Sequence, residues 1–228
     1  MTSLSIQAVI FDMDGVVIDS EEIHKKAYFE TFNFINVDVT EELYKTFTGS
    51  STLNAFQKLV AHFQLDIDPE ELVLEKRQRY VNYFENDPAL HLVHGVKELI
   101  EKAYQQGITL ILASSSAMEN INRVFNRFQL HDYFTHKVSG EDFPKSKPHP
   151  AIFEHAASLS FAPKENCIVI EDSTNGIIAA KAAGILCIGY NSEHSKNQDL
   201  SQADSVVNHF DELNYDLVRD MDSKLCNN

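Results

Sequence analysis

Four places in the chain carry side chains that could do chemistry together. Asp12 and Asp14 follow the apolar run Val9 to Phe11 and are separated by one residue, with Gly15 next. Ser114 follows the apolar run Ile108 to Ala113. Lys147-Pro148 lies in a loop that opens a helix. Glu171 and Asp172 end the run Cys167 to Ile170. A short apolar run bounded by a turn signal reads as a buried strand. Open α/β sheets bind ligands in the crevice beyond the carboxyl ends of their strands. If these strands are parallel, their tips share one edge and the groups converge. Each alone reads more simply: a strand-end acid or serine as a structural cap, a lysine as a solvated side chain. Together, Asp12, Asp14, Glu171 and Asp172 could not all ionise comfortably without a cation. Mg²⁺ suits such a set, being hard and oxygen-liganded.

The elements that must position these groups are legible from hydrophobic spacing. From Ser20 to about Phe84 the period is helical, as in Leu53, Phe56, Leu59, Val60 and Phe63. Thr40-Glu41-Glu42-Leu43 and Asp68-Pro69-Glu70-Glu71 have the capping oxygen and first-turn acids of helix starts. No convincing strand is read between Ile18 and Pro88. From His91 onward helix and strand alternate. Helices run through Val96 to Tyr104 (stopped by Gly107), Ile121 to Phe128, Ile152 to Leu159, and Ile177 to Ala183 (stopped by Gly184). Strands are expected at Ile108 to Ala113, His136 to Val138, Cys167 to Ile170, Ile185 to Ile188 and Ser205 to Val207, with a helix from Asp211 into the tail. Alternation of this kind implies βαβ units and a parallel sheet. The expected fold class is α/β: a Rossmann-like, three-layer α/β/α core from residues 1–19 and 89–228, with an inserted all-helical cap at 20–88.

Composition bounds the function. The chain has 228 residues and a formal net charge of −15, which disfavours nucleic acid and anionic membrane as partners. Three cysteines, an odd number, argue against a disulfide framework. Cys167 and Cys187 read as buried hydrophobes, and Cys226 lies in a polar tail. No run approaches the roughly 18 apolar residues of a membrane span, and no targeting signal is read at the start. A cytoplasmic monomer is expected.

The strings Asp12-Met13-Asp14-Gly15-Val16-Val17, Leu112-Ala113-Ser114, Lys147-Pro148 and Glu171-Asp172-Ser173 resemble, in order, the four motifs of the haloacid dehalogenase-like superfamily. Ser146-Lys147-Pro148-His149-Pro150 and Glu171-Asp172-Ser173-Thr174-Asn175-Gly176 are similar to the branch that holds β-phosphoglucomutase and the small sugar-phosphate phosphatases. The resemblance implies Asp12 as nucleophile on phosphorus, giving an aspartyl-phosphate, and Asp14 as the acid and base. The latter needs a carboxyl protonated part of the time, which the acidic neighbours would favour. It implies Ser114 and Lys147 as holders of the phosphoryl group. It also implies a Mg²⁺ site from Asp12, the backbone carbonyl of Asp14, and Asp172, with Glu171 in support.

The resemblance extends to the cap. Ser20 falls in the hinge, where an ordinary helix N-cap with first-turn acids would also account for Asp19-Ser20-Glu21-Glu22. His24 matches a histidine that bridges hinge and catalytic acid; the plainer reading is a solvent-facing helix residue. Gly49 belongs to the substrate-specificity loop Thr48-Gly49-Ser50-Ser51-Thr52. The mutase pattern has an arginine just past this glycine to grip a second phosphate, and the matching position here is Thr52. A hydroxyl does not replace a guanidinium fork. Lys76, Arg77 and Arg79 could compensate but read as a solvated helix face. His91 and His94 are spaced for one helix face, without a third zinc ligand.

The expectation is therefore a Mg²⁺-dependent phosphatase of small phosphorylated metabolites, sugar phosphates foremost. A β-phosphoglucomutase-type phosphotransferase is the alternative. A dehalogenase attacks carbon and has no use for Asp14. A binding module with vestigial residues would not need the full set.

Overall fold

The computed structural model describes residues 6–192 and 195–213. Six strands form one parallel sheet: β1 (Ala8–Phe11), β2 (Thr109–Ser114), β3 (His136–Ser139), β4 (Cys167–Glu171), β5 (Leu186–Tyr190) and β6 (Ser205–Val207), in the spatial order β3-β2-β1-β4-β5-β6. The chain builds outward from β1 to β3, then crosses back to place β4 on the other side of β1. The carboxyl ends of β1 and β4 thus flank the point where the winding reverses, the site of a ligand crevice in open α/β sheets.

Alternation along the strands sends side chains to two apolar layers. Val9, Phe11, Leu110, Leu112, Ile168 and Ile170 pack with α5 (Val96–Gln105) and α6 (Met118–Phe128). Ala8, Ile10, Ile111, Ala113 and Val169 pack with α7 (Ala151–Leu159) and α8 (Thr174–Ala182). This is the α/β/α sandwich expected from the alternating pattern.

Between β1 and α5 lie only helices among the described residues: α1 (Glu21–Phe34), α2 (Glu41–Lys45), α3 (Thr52–Phe63) and α4 (Pro69–Asn86). They enclose their own apolar cluster, with Tyr28, Phe32, Phe47, Phe56 and Leu72 at its centre. The feet of α1 and α4, through Ile23, Ala27, Tyr80 and Phe84, join the layer under the sheet. Local signals fix the helix starts. Thr40 Oγ1 accepts the Leu43 N–H at 3.2 Å and Asp68 Oδ1 the Glu70 N–H at 2.9 Å, each satisfying an otherwise orphaned donor.

Two details differ from the sequence reading. His91 and His94 precede α5 on irregular chain, so they share no helix face; the apolar periodicity begins only at Val96. Phe210–Glu212 is a single 3₁₀ turn, and the rest of the expected tail helix, with Cys226, lies outside the described residues. Cys167 and Cys187 are free and buried. No described helix is long and apolar enough to cross a membrane.

Candidate active site

Parallel register sets the floor of the site. Phe11 pairs with Leu112 on one side and with Ile170 on the other. The next residues, Asp12, Ala113 and Glu171, therefore emerge at one level. The Asp12 N–H still donates to the Ile170 carbonyl at 3.0 Å, so Asp12 is fixed by the sheet itself. One carboxylate oxygen each of Asp12, Glu171 and Asp172 lie within 4.8 Å of one another, all buried.

Lys147 reaches this floor from the loop before α7. Its side chain is 1 % exposed, and the ammonium donates to Asp12 Oδ1 at 2.5 Å, Glu171 Oε1 at 2.8 Å and the Ala113 carbonyl at 3.1 Å. Burial alone would lower its pKa, but the Asp12 and Glu171 charges outweigh that and raise it, so it stays charged. Glu171 Oε2 accepts from the Ser173 N–H and hydroxyl, leaving both its oxygens engaged. Burial pushes Asp12 up, against the pull of Lys147. Burial also pushes Asp172 up, with Glu21, Glu171 and Asp12 adding to it. One ammonium thus serves a buried set of three carboxylates. The excess negative charge and the all-oxygen donors fit a hard divalent cation.

Asp14 is placed differently. The tight turn after β1, with Gly15 at φ +81°, sends its carboxylate toward the cap hinge. It accepts from Ser20 Oγ at 2.6 Å and Ser116 Oγ at 2.8 Å, and lies 3.0 Å from His24 Nε2. Burial raises its pKa, but the adjacent His24 ring and the hydrogen bonds from His24, Ser20 and Ser116 outweigh burial and hold it well below the usual carboxylate range. The expectation that acidic neighbours would leave it part-protonated is corrected here. Three donors aimed at one carboxylate stabilise its ionised form more than its neighbours oppose it.

Ser20 begins α1 but makes no capping bond; its hydroxyl is spent on Asp14. The His24 side chain is only 12 % exposed. Its Nδ1 lies 2.7 Å from Lys76 Nζ, so the ammonium donates there and Nε2–H faces Asp14. Burial and Lys76 lower the His24 pKa, which suits that neutral tautomer.

Lys76 overturns the expectation of a solvated face. It is 1 % exposed, with Nζ 4.6 Å from the Tyr28 ring centre and 5.1 Å from that of Tyr80. The signal was present: Leu72, Lys76, Tyr80 and Phe84 recur every four residues, so Lys76 sits inside the buried stripe of α4. Arg77 and Arg79, off that stripe, pair with Glu141 and with Glu30 and Glu75.

Above the floor is a cavity of about 60 Å³. Asp12, Asp14, Ser114, Asp172, His24, Gly49 and Thr52 line it, together with Lys76 and with Glu21, Tyr28 and Tyr44, the last three of which the sequence reading did not single out for it. Ser114 Oγ accepts the Ser116 N–H at 3.0 Å. The cap loop docks onto the core: the Gly49 carbonyl accepts from Ser115 Oγ at 2.8 Å and the Thr48 carbonyl from Asn175 Nδ2 at 2.7 Å. Gly49, at φ +77°, could carry no Cβ here, because one would lie 2.4 Å from Ser173 Oγ. Thr52 starts α3, on the cavity wall beside Tyr28.

Comparison with known proteins bears on the family and the fold. The profile of the haloacid dehalogenase-like hydrolases matches residues 9–190. Hexitol phosphatase B of Escherichia coli (strain K12) is 34 % identical over 185 residues, 80 % of this chain and 82 % of that protein. The crystal structure of a CbbY variant from Rhodobacter sphaeroides in complex with xylulose-(1,5)bisphosphate superposes with a TM-score of 0.81 at 27 % identity, covering 91 % of this chain and 96 % of that one. The β-phosphoglucomutase of Clostridium difficile, 23 % identical, shares the fold with a TM-score of 0.84 over 97 % of this chain and 99 % of its own. Motif order, sheet topology and sequence match together place this chain in the haloacid dehalogenase-like hydrolase family.

Proposed function

We propose that the protein is a Mg²⁺-dependent phosphatase of small phosphorylated metabolites, sugar phosphates foremost, acting through an aspartyl-phosphate on Asp12. One observation carries the reading: the Asp12 carboxylate, fixed by the sheet and paired with Lys147 at 2.5 Å, lies beside Asp172 at the floor of a cap-covered cavity. The hexitol phosphatase relative supports the phosphatase class.

Asp12, Asp172 and the Asp14 backbone carbonyl would hold the metal ion, while Glu171, already bound to Lys147 and Ser173, supports the set. When bound, Mg²⁺ would offset the charge of the phosphoryl oxygens against the carboxylates. An Asp12 oxygen attacks phosphorus, and the bond from phosphorus to the leaving oxygen breaks. Asp14 gives that oxygen its proton. Water then attacks the aspartyl-phosphate, losing a proton to Asp14, and inorganic phosphate leaves Asp12 free. Ser114, Lys147 and the backbone N–H groups after Asp12 hold the phosphoryl oxygens. Asp14 takes up that proton from solvent once its carboxyl leaves the Ser20, Ser116 and His24 donors that keep it ionised, and regains it from the attacking water in each later turnover. The cavity holds only a few waters, so the cap draws back to admit a sugar phosphate. We take residues 1–19 and 89–228 as the catalytic core and 20–88 as the cap of a cytoplasmic monomer.

The alternative is a β-phosphoglucomutase-type transfer, in which a sugar hydroxyl rather than water receives the phosphoryl group. Thr52 in the cavity wall disfavours it, since no guanidinium grips a second phosphate there. Release of inorganic phosphate from p-nitrophenyl phosphate and a hexose phosphate panel, with and without Mg²⁺, tests the reading. Metal-dependent release is expected. Interconversion of β-glucose 1-phosphate and glucose 6-phosphate with negligible free phosphate would overturn it.

A further inference from the structure

We infer that Glu21 is a specificity-determining residue, accepting hydroxyls of an uncharged polyhydroxy leaving group and refusing substrates with a second phosphate. The inference rests on the phosphatase reading above and extends it to the leaving-group half of the site.

Glu21 opens α1, and Glu21, His24 and Tyr28, spaced by three and four residues, present one helix face to the cavity. His24 and Tyr28 have partners on neighbouring elements. Glu21 does not: among the described residues its carboxylate accepts no hydrogen bond. An acid at a helix start is ordinarily a first-turn group facing water. This one lines the cavity instead, where burial and the Asp14 charge push its pKa up to about 7 and its ionised form is felt by Lys76 and by Asp172.

Apart from Lys76, the rest of the leaving-group wall is uncharged. It consists of the Tyr28 and Tyr44 rings with their hydroxyls, Phe47, Thr52 and Ser50. The Ser50 hydroxyl is buried with no partner, a second polar group in that wall that awaits one. Lys76 is the cation of the cavity lining, and its ammonium is already committed to His24 Nδ1 and the faces of Tyr28 and Tyr80. With Glu21 offsetting that charge, the wall offers a dianion no net attraction. A neutral polyol meets acceptors and hydroxyls at the right depth. Buried hydrogen-bonding groups reject ligands that leave them unpaired, and like charges reject the wrong ligand outright.

The test compares glucose 6-phosphate with glucose 1,6-bisphosphate, which differ by one phosphate, using Mg²⁺-loaded enzyme and kcat/KM as the readout. The wild-type enzyme is expected to favour the monophosphate at least about tenfold, the scale set by one unscreened like-charge contact. Glu21→Gln lowers that preference about tenfold by losing monophosphate efficiency and gaining bisphosphate efficiency, because Lys76 is no longer offset. Glu21→Asp, which restores the charge, keeps the preference on the wild-type side. A wild-type enzyme that handles both substrates equally overturns the inference whatever the variants do. An unchanged preference in folded Glu21→Gln also overturns it. Absence of phosphate release from p-nitrophenyl phosphate by the wild-type enzyme would instead sink the phosphatase reading, and this inference with it.

Discussion

Lys76 on α4 and His24 on α1 meet with Nζ 2.7 Å from Nδ1, and the far nitrogen of the same ring lies 3.0 Å from Asp14. A cap lysine is thereby wired to the acid of the core. Burial lowers the Lys76 pKa to about 8, held up by Asp14, Glu21 and Glu141 and pushed down by Arg77, with His24, Tyr28 and Tyr80 packed around it. Raising the pH through about 8 therefore removes the ammonium, frees Nδ1 of its donor and loosens the hold on Asp14. The expected kcat/KM profile falls on its alkaline side from about pH 8. Lys76→Met is expected to lose that limb and roughly tenfold in kcat/KM, about 1.4 kcal/mol. A wild-type profile that stays flat well beyond that pH would refute the link.

Removing the Lys147 ammonium leaves Asp12, Glu171 and Asp172 buried without an internal cation. Lys147→Ala is expected to cost about 3–5 kcal/mol of stability, the usual consequence of deleting one partner of a buried ion pair. Added Mg²⁺ should recover part of the loss, because a ligand that binds only the folded state stabilises it by mass action. Urea unfolding with and without the metal measures both effects. A loss under about 1 kcal/mol would mean the pair behaves as a surface salt bridge.

Gly176 lies inside α8 at ordinary helical geometry, yet a Cβ there would sit 1.6 Å from Glu171 Oε1. The glycine makes room for the carboxylate that holds Lys147. Gly176→Ala should help the helix by its propensity but force Glu171 aside, for a net loss of about 1–3 kcal/mol. Weaker Mg²⁺ binding by calorimetry is expected alongside. Wild-type stability and metal affinity in this variant would show that Glu171 can move freely.

Asp12→Asn keeps the shape of the side chain and removes its charge. Turnover is expected to drop by at least about 10⁴-fold, as for other nucleophile deletions. Acid-quenched wild-type enzyme should carry a phosphoryl group on Asp12 that the variant lacks, read by peptide mass. Near-normal turnover in the variant would exclude this nucleophile. Loss of Mg²⁺ affinity in the variant is expected as well, since Asp12 belongs to the buried carboxylate set.

Local order in the chain was enough for the strands, the helices and their sequence along the fold. Period-two and period-four apolar spacing depends only on which faces are buried, and capping residues such as Thr40 and Asp68 act on their own next turn. Ordered motifs at strand tips, with parallel connectivity, also imply that Asp12, Glu171 and Asp172 gather at one sheet edge, as they do. The environment of each group was not so accessible. Lys76 and Arg77 are adjacent in the chain, and only packing against α1 makes one a buried partner of His24 and the other a partner of Glu141. Asp14 was expected to be raised by its acidic neighbours, and the turn at Gly15 carried it to Ser20, His24 and Ser116 instead.

The residue types and their spacing along the chain determined which groups this protein has and at which sheet edge they gather, because burial of apolar faces is a local pattern. Tertiary structure alone decided which of those groups face one another. A pKa, an ion pair or a cavity wall depends on distances across elements, and for Glu21 and Lys76 those distances separate residues more than fifty positions apart in the chain.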